Sequence, residues 1–310
     1  MKILITGAAG YIGSMLTNIA LNKGYEVTAL DRYENTFPSL ALSSSNTNFN
    51  PVKGDVRDEP LVKSLIAKSD IIIPLAALVG APICKMDPLN ASSINADAIK
   101  MIVKYSSRQQ KIIYPTTNSG YGIGEQNSFC DESTPLKPIS LYGLTKVEAE
   151  QAILDSGNGV TLRLATVFGM SPKMRLDLMV NDFVYRAVND RSIVIFEGSF
   201  RRNFIHIKDV ASAFLHSIEN YQLMNGEPYN VGLSSANLTK IELCNKIKEH
   251  ISDFTIIESE IGQDPDKRDY VVSNQKIEDT GYKTTFNLDD GIIELIKGYK
   301  TFKNSINSNV

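Results

Sequence analysis

The chain has 310 residues, 43% hydrophobic and 22% charged, with a net charge of −3 and no long basic block. That composition fits one large α/β domain or a nucleotide-binding domain with a smaller cap, and it argues against nucleic acid or an anionic membrane surface as the main partner. Cys84, Cys130 and Cys244 are widely spaced, and none of His206, His216 and His250 lies near them, so neither a disulfide framework nor a metal site finds support.

Residues 2–6 read as a buried strand, and 11–23 as a helix closed by Gly24 in the position of a left-handed cap. A second strand covers 26–31, a loop rich in Ser and Asn covers 38–50, a short third strand lies at 52–54 and a helix at 60–68. A fourth strand follows at 70–75, then a helix over 87–108 interrupted near Pro88, a fifth strand at 111–115, a helix at 141–155 and a sixth strand at 160–165. This alternation predicts a doubly wound parallel sheet, a Rossmann-type α/β domain over 1–166. Beyond it, Pro172, Gly198, Gly226, Pro228, Gly262 and Pro265 punctuate shorter elements. Helices are expected at 182–190, 208–219, 239–251 and 288–299, and strands at 193–196, 229–231 and 254–258. Residues 167–310 read as a smaller substrate-binding lobe, with room for the chain to cross between lobes, and the tail after Lys300 as frayed. The apolar run 71–79 is too short to span a bilayer and contains Pro74. No signal-peptide pattern opens the chain, so the expectation is a soluble, reduced, cytoplasmic protein.

The stretch Thr6-Gly7-Ala8-Ala9-Gly10-Tyr11-Ile12-Gly13 follows the apolar run Ile3-Leu4-Ile5 and opens a predicted helix. Gly7 permits the tight strand-to-helix turn, Gly10 lets the backbone approach a pyrophosphate, and Gly13 lets the helix pack closely. The helix N-terminus then offers free N–H groups and the positive end of a dipole. Asp31 ends the second strand, where a carboxylate accepts both ribose hydroxyls and repels a 2′-phosphate, favouring NAD over NADP. Arg32 next to it is either a phosphate partner or a solvated surface arginine. Asp55-Val56 after the third strand either brackets the adenine or forms a turn.

Tyr142 and Lys146 are four apart on a predicted helix and so share a face. A nearby ammonium favours the phenolate and makes tyrosine a usable general base. On spacing alone a surface Tyr–Lys pair is an equal reading. The run Tyr114-Pro115-Thr116-Thr117-Asn118-Ser119-Gly120-Tyr121-Gly122 leaves the carboxyl end of the fifth strand, where open α/β sheets bind ligands. There the Thr117 hydroxyl is placed to bind a reacting alcohol oxygen.

With these motifs together, the chain resembles the extended short-chain dehydrogenase/reductases of the nucleotide-sugar epimerase/dehydratase family. The glycine fingerprint is Thr6 to Gly13. The segment after the fourth strand is Leu75-Ala76-Ala77-Leu78, with Pro74 where the family often has His, and the structural Asn corresponds to Asn95. Thr117 stands at the Ser/Thr position, Tyr142 and Lys146 at the catalytic pair, and Arg163-Leu164 to Phe168-Gly169 at the strand with its Phe-Gly turn. Arg202 to Val210 is similar to the family's late Arg–His–Asp element. The resemblance implies NAD as cofactor, held by Gly7, Gly10, Tyr11, Ile12, Gly13, Asp31, Arg32, Asp55, Val56, Leu75, Ala76, Ala77, Tyr142 and Lys146. It implies a nucleotide-diphosphate sugar as substrate, its diphosphate clamped by Arg202 and Arg268, with Asn181 near the nucleotide. His206 is expected to order the domain seam rather than to catalyse.

The reaction that the resemblance implies starts with oxidation of the sugar C4 hydroxyl. Relatives that go on to eliminate water carry an acidic pair after the Ser/Thr position. This chain has Asn118 and Ser119 there, so 4-epimerisation is expected, with release of the 4-keto sugar as the alternative. Cys84, in the loop 80–85 after the fourth strand, adds 3- or 5-epimerisation if the thiol moves protons, or is an inert buried thiol. A non-catalytic NAD-binding protein is disfavoured by the retained Thr117, Tyr142 and Lys146. By analogy the chain forms a homodimer through 87–108 and 141–155, supported by Ile94, Ala98, Ile102, Ala149 and Ile153.

Overall fold

A computed structural model describes residues 1–34, 38–123, 129–259 and 269–301. Seven parallel strands form the central sheet: β1 (Lys2–Thr6), β2 (Glu26–Asp31), β3 (Phe49–Lys53), β4 (Ile71–Pro74), β5 (Lys111–Thr117), β7 (Val160–Leu164) and β11 (Pro228–Val231). The others are β6 (Phe129–Cys130), β8 (Thr166–Phe168), β9 (Ser192–Phe196), β10 (Arg201–His206), β12 (Asn237–Thr239), β13 (Thr255–Ser259) and β14 (Val271–Val272). They form a three-stranded sheet β12-β10-β8 and the pairs β13-β9 and β14-β6.

The central order is β11-β7-β5-β4-β1-β2-β3. The order in which strands are added reverses across the β1–β4 boundary, which opens a crevice at the carboxyl ends of the strands. β1 lies between β2 and β4, with Ile5 opposite Ala29 on one side and Ile73 on the other. Its apolar run is continuous because helices cover both faces. Successive residues serve opposite cores: Ile3, Ile5, Ile71, Ile73 and Ile113 on one face, Leu4, Ile72, Ile112 and Tyr114 on the other.

The doubly wound parallel sheet expected from the sequence is present, with a seventh strand, β11, supplied from beyond residue 166. The first helix runs Tyr11–Asn22, and Gly24 takes φ +83°. The third strand starts earlier than its apolar pattern suggests, at Phe49, and tolerates Pro51 because β3 is the sheet edge. The expected long helix over 87–108 is built of pieces. Asp87 caps a short helix Pro88–Ser92 by accepting from the Asn90 N–H, a π-helical turn spans Ser93–Asp97, and Ala98–Tyr105 completes it. The loop expected at 80–85 is instead largely the helix Ala81–Met86.

Ile94, Ala98, Ile102, Ala149 and Ile153 do not form an outer face. They are buried in the chain's own core beneath β4 and β5. The helix periodicity that singled them out reports packing onto the sheet.

Candidate active site

A cavity of about 380 Å³ lies at the carboxyl ends of the central strands. The glycine turn forms one wall. Gly7 has φ +67°, and a Cβ there would approach the Ala76 nitrogen to 2.7 Å, so strand β1 and the segment after β4 meet without room for a side chain. A Cβ on Gly13 would lie 2.2 Å from the Gly7 carbonyl oxygen. Gly13 is therefore required by the turn itself, rather than by the sheet. The helix Tyr11–Asn22 has no side-chain cap at Gly10 and no acidic residue in its first turn, and its first intrahelical bond runs from the Ser14 N–H to the Gly10 carbonyl. Its leading N–H groups face the cavity, which suits the pyrophosphate of a dinucleotide.

Asp31, Arg32, Asp55, Val56, Leu75, Ala76 and Ala77 line the same cavity. The Asp31 carboxylate is oriented by the Ala9 and Tyr33 N–H groups, both at 3.0 Å. Arg32 is ion-paired with Glu34, itself a cavity residue. Asp55 accepts from Arg57 Nε at 2.9 Å and is held down at about 2, chiefly by that arginine. Tyr11 also lines the cavity, but its phenol donates to the Gly169 carbonyl at 2.7 Å and ties the first helix to the turn after β8. The donor set, the oriented carboxylate and the glycine cradle fit a dinucleotide with an unphosphorylated ribose.

Tyr142 and Lys146 line the inner end. Their helix, Leu141–Asp155, starts where Ser140 accepts from the Gly143 N–H at 3.1 Å. Lys146 is buried, and that burial pushes it down to about 7, with Glu150 acting in the opposite direction. Thr117 closes β5 directly after the lining residues Pro115 and Thr116. Its hydroxyl donates to Ser119 Oγ at 2.9 Å and accepts from the Ser119 N–H at 3.1 Å. Asn95, in the π-helical turn, accepts from the Leu78 N–H at 2.8 Å and donates to the Leu78 carbonyl at 2.9 Å, fixing the segment after β4.

A second cavity opens beside the first, lined in part by Thr166, Asp177, Asp182, Ile195, Arg202 and Lys240. The segment from Leu164 to Asp182 walls both, because Leu164, Lys173 and Arg175 line the first cavity. Arg175 and Asp177 form an ion pair, with Nε to Oδ1 at 3.1 Å, where the two cavities adjoin.

Residues 3–232 match the model of the NAD dependent epimerase/dehydratase family. The chain belongs to that family. It is 28% identical to mouse dTDP-D-glucose 4,6-dehydratase, over 98% of this chain and 90% of that one. It is 27% identical to a putative UDP-glucose 4-epimerase of Methanocaldococcus jannaschii, over 96% of this chain and 98% of that one. Its fold superposes on UDP-glucuronic acid 4-epimerase from Bacillus cereus with a TM-score of 0.85 at 23% identity, covering 97% and 99% of the two chains. It is thus an NAD-dependent enzyme of the extended short-chain dehydrogenase type. Among the described residues no helix is long and apolar enough to cross a membrane.

Several residues chosen by resemblance to the epimerase/dehydratase family lie elsewhere than expected. Asn181 is fully buried and lines neither cavity; its carboxamide accepts from the Gly169 N–H at 3.0 Å and donates to the Arg175 carbonyl at 2.9 Å. It shapes the segment that carries Arg175 and Asp177. Cys84 is also fully buried, its thiol donates to the Leu78 carbonyl at 3.3 Å, and burial pushes it up. A raised thiol away from both cavities is unsuited to moving a proton beside a ketone. Thr117, Asn118 and Ser119 line neither cavity, and Asn118 and Ser119 are buried. Arg202 does reach the second cavity, and Arg268 lies outside the described residues. His206 is buried, and its Nε2 meets Glu294 at 2.6 Å. Burial raises Glu294, but His206 and Lys208 outweigh it and hold the carboxyl at about 2. Lys173, Arg175 and Asp177, on a loop, and Lys240, at the start of the helix Lys240–His250, escaped the sequence reading because no local pattern marks a charge that faces a cavity.

Proposed function

We propose that this chain is a nucleotide-sugar 4-epimerase. The observation carrying this reading is that Tyr142 and Lys146 share one cavity with the glycine turn and Asp31; the family resemblance adds that Asn118 and Ser119 stand where dehydratases carry an acidic pair. NAD, held by the leading N–H groups of the first helix and by Asp31, supplies a hydride acceptor. The sugar nucleotide lies across the second cavity, its diphosphate met by Arg202 and Lys240. Thr117 binds the C4 oxygen, and Tyr142 takes the C4 hydroxyl proton as the C4–H bond gives up its hydride. Lys146 supports the phenolate. The 4-keto sugar then turns over beside Tyr142. Bound NAD would supply the hydride for the other face of C4, and Tyr142 returns the proton. Asn118 and Ser119 are poor acids and bases, so loss of water from the keto sugar is disfavoured.

The test is incubation with UDP-, GDP-, dTDP- and CDP-sugars, reading both the product and the redox state of the cofactor. An isomeric sugar with cofactor unchanged is the expected result. A 4-keto-6-deoxy product, or net accumulation of reduced cofactor with released 4-keto sugar, overturns it.

A further inference from the structure

Lys146 carries its ammonium into a site from which water is largely excluded. Its side chain is nearly inaccessible, and so is that of Tyr114 on β5. Lys146 Nζ sits 4.0 Å from the centroid of the Tyr114 ring. The negative face of an aromatic ring at that distance is one of the few ways to hold a buried cation without a carboxylate. The Tyr114 hydroxyl has no hydrogen-bond partner among the described residues. Burial and the neighbouring Tyr142 and Glu150 push that phenol well up, so the ring stays neutral. The contact therefore uses the ring and not the hydroxyl.

The other groups around the ammonium are few. Tyr142 and Glu150 lie on its own helix, and Arg163 of β7 faces it only through Glu150, whose Oε1 the arginine engages at 2.6 Å. Lys173 and Arg175 line the same cavity. Arg163 engages Oε1 of the Glu150 carboxylate, so the ring face joins Glu150 as a near neighbour that favours the charged amine.

We propose that Tyr114 is a positioning residue: its ring face seats the Lys146 ammonium beside Tyr142 and the cofactor. This rests on the catalytic reading of Tyr142 and Lys146 given above. It makes Tyr114 part of the machinery although it touches neither substrate nor cofactor.

The experiment follows Lys146 directly, by NMR titration of its side-chain carbon with the signal assigned through Lys146→Met, in Tyr114→Phe, in Tyr114→Leu and in protein carrying pentafluorophenylalanine at position 114. The fluorinated ring keeps the shape but reverses the quadrupole, and so remains informative if the leucine variant fails to fold. Tyr114→Phe is expected to leave the Lys146 midpoint in place, whereas the leucine and fluorinated variants lower it by about one pH unit. The acid limb of turnover is expected to move to higher pH in the same two variants and to be restored by phenylalanine. An unmoved Lys146 midpoint in the leucine and fluorinated proteins, or a phenylalanine variant that behaves like leucine, overturns the seat. A moved midpoint in a protein whose turnover survives Tyr142→Phe overturns the catalytic reading instead, and with it the role assigned to Tyr114.

Discussion

Arg163 of β7 directs Nε and a terminal nitrogen at a single oxygen of Glu150, at 3.0 and 2.6 Å, with both side chains almost wholly buried. The same guanidinium donates to the Tyr121 hydroxyl at 3.0 Å, and Tyr121 donates to Asn230 of β11 at 2.7 Å. The helix that carries Tyr142 is thereby tied to two strands of the sheet. Removing one partner of a buried pair strands the other, at a cost of about 3–5 kcal/mol. Arg163→Met should lose that much stability in urea unfolding, and a loss below about 1 kcal/mol would show that the pair is relaxed by solvent.

The Gly7–Gly13 contact leaves no space for a methyl group. Gly13→Ala should cost about 1–3 kcal/mol of stability and weaken NAD binding at least tenfold, because the turn must open to accept the Cβ. Calorimetric titration with NAD checks this, and unchanged affinity would remove the glycine turn from the cofactor site.

Arg32 stands at the adenosine end but is paired with Glu34, and Arg57 nearby is paired with Asp55. Both guanidinium groups are neutralised by carboxylates of this chain, which leaves Asp31 to repel a 2′-phosphate. Glu34→Gln should therefore improve NADP binding by roughly fivefold while leaving NAD binding alone, the modest size reflecting an exposed pair. Equal changes for both dinucleotides would place Glu34 away from the ribose.

Lys146 titrates near 10.5 in an unfolded chain and is pushed by burial to about 7 in the folded one. Between those values the unfolded state binds more protons, so this residue's contribution to stability rises with pH across the window. Below pH 7 the buried ammonium bears its full desolvation cost. Lys146→Met should consequently be more stable than the parent at pH 6, on the order of 3 kcal/mol, with the advantage fading towards pH 10. Urea midpoints across that range test the sign; a gap independent of pH contradicts it.

Tyr142→Phe should reduce turnover by about 10²- to 10⁴-fold with NAD affinity retained, the signature of a lost proton acceptor. Cys84→Ser, by contrast, should leave turnover within about twofold, since the thiol donates only to the Leu78 carbonyl inside the fold. A large loss in the serine variant at unchanged stability would bring Cys84 back to the chemistry.

What the sequence determined was everything that depends on near neighbours along the chain. Ile3-Leu4-Ile5 followed by Gly7, Gly10 and Gly13 specifies a strand, a turn and a helix, because those conformations are decided within a few residues. The same holds for the shared face of Tyr142 and Lys146. The alternation of strands and helices even carried the sheet class. Only the tertiary structure could decide which polar groups meet across distance. Asn181 turned inward to Gly169, Cys84 inward to Leu78, and Arg175 outward to the cofactor cavity, although nothing in their neighbours distinguishes these fates. The place of β11 in the central sheet and the ring beneath Lys146 likewise come from contacts between segments far apart in the chain. Burial, charge pairing and the environment of an amine are properties of a packed interior, and they exist only once distant segments have come together.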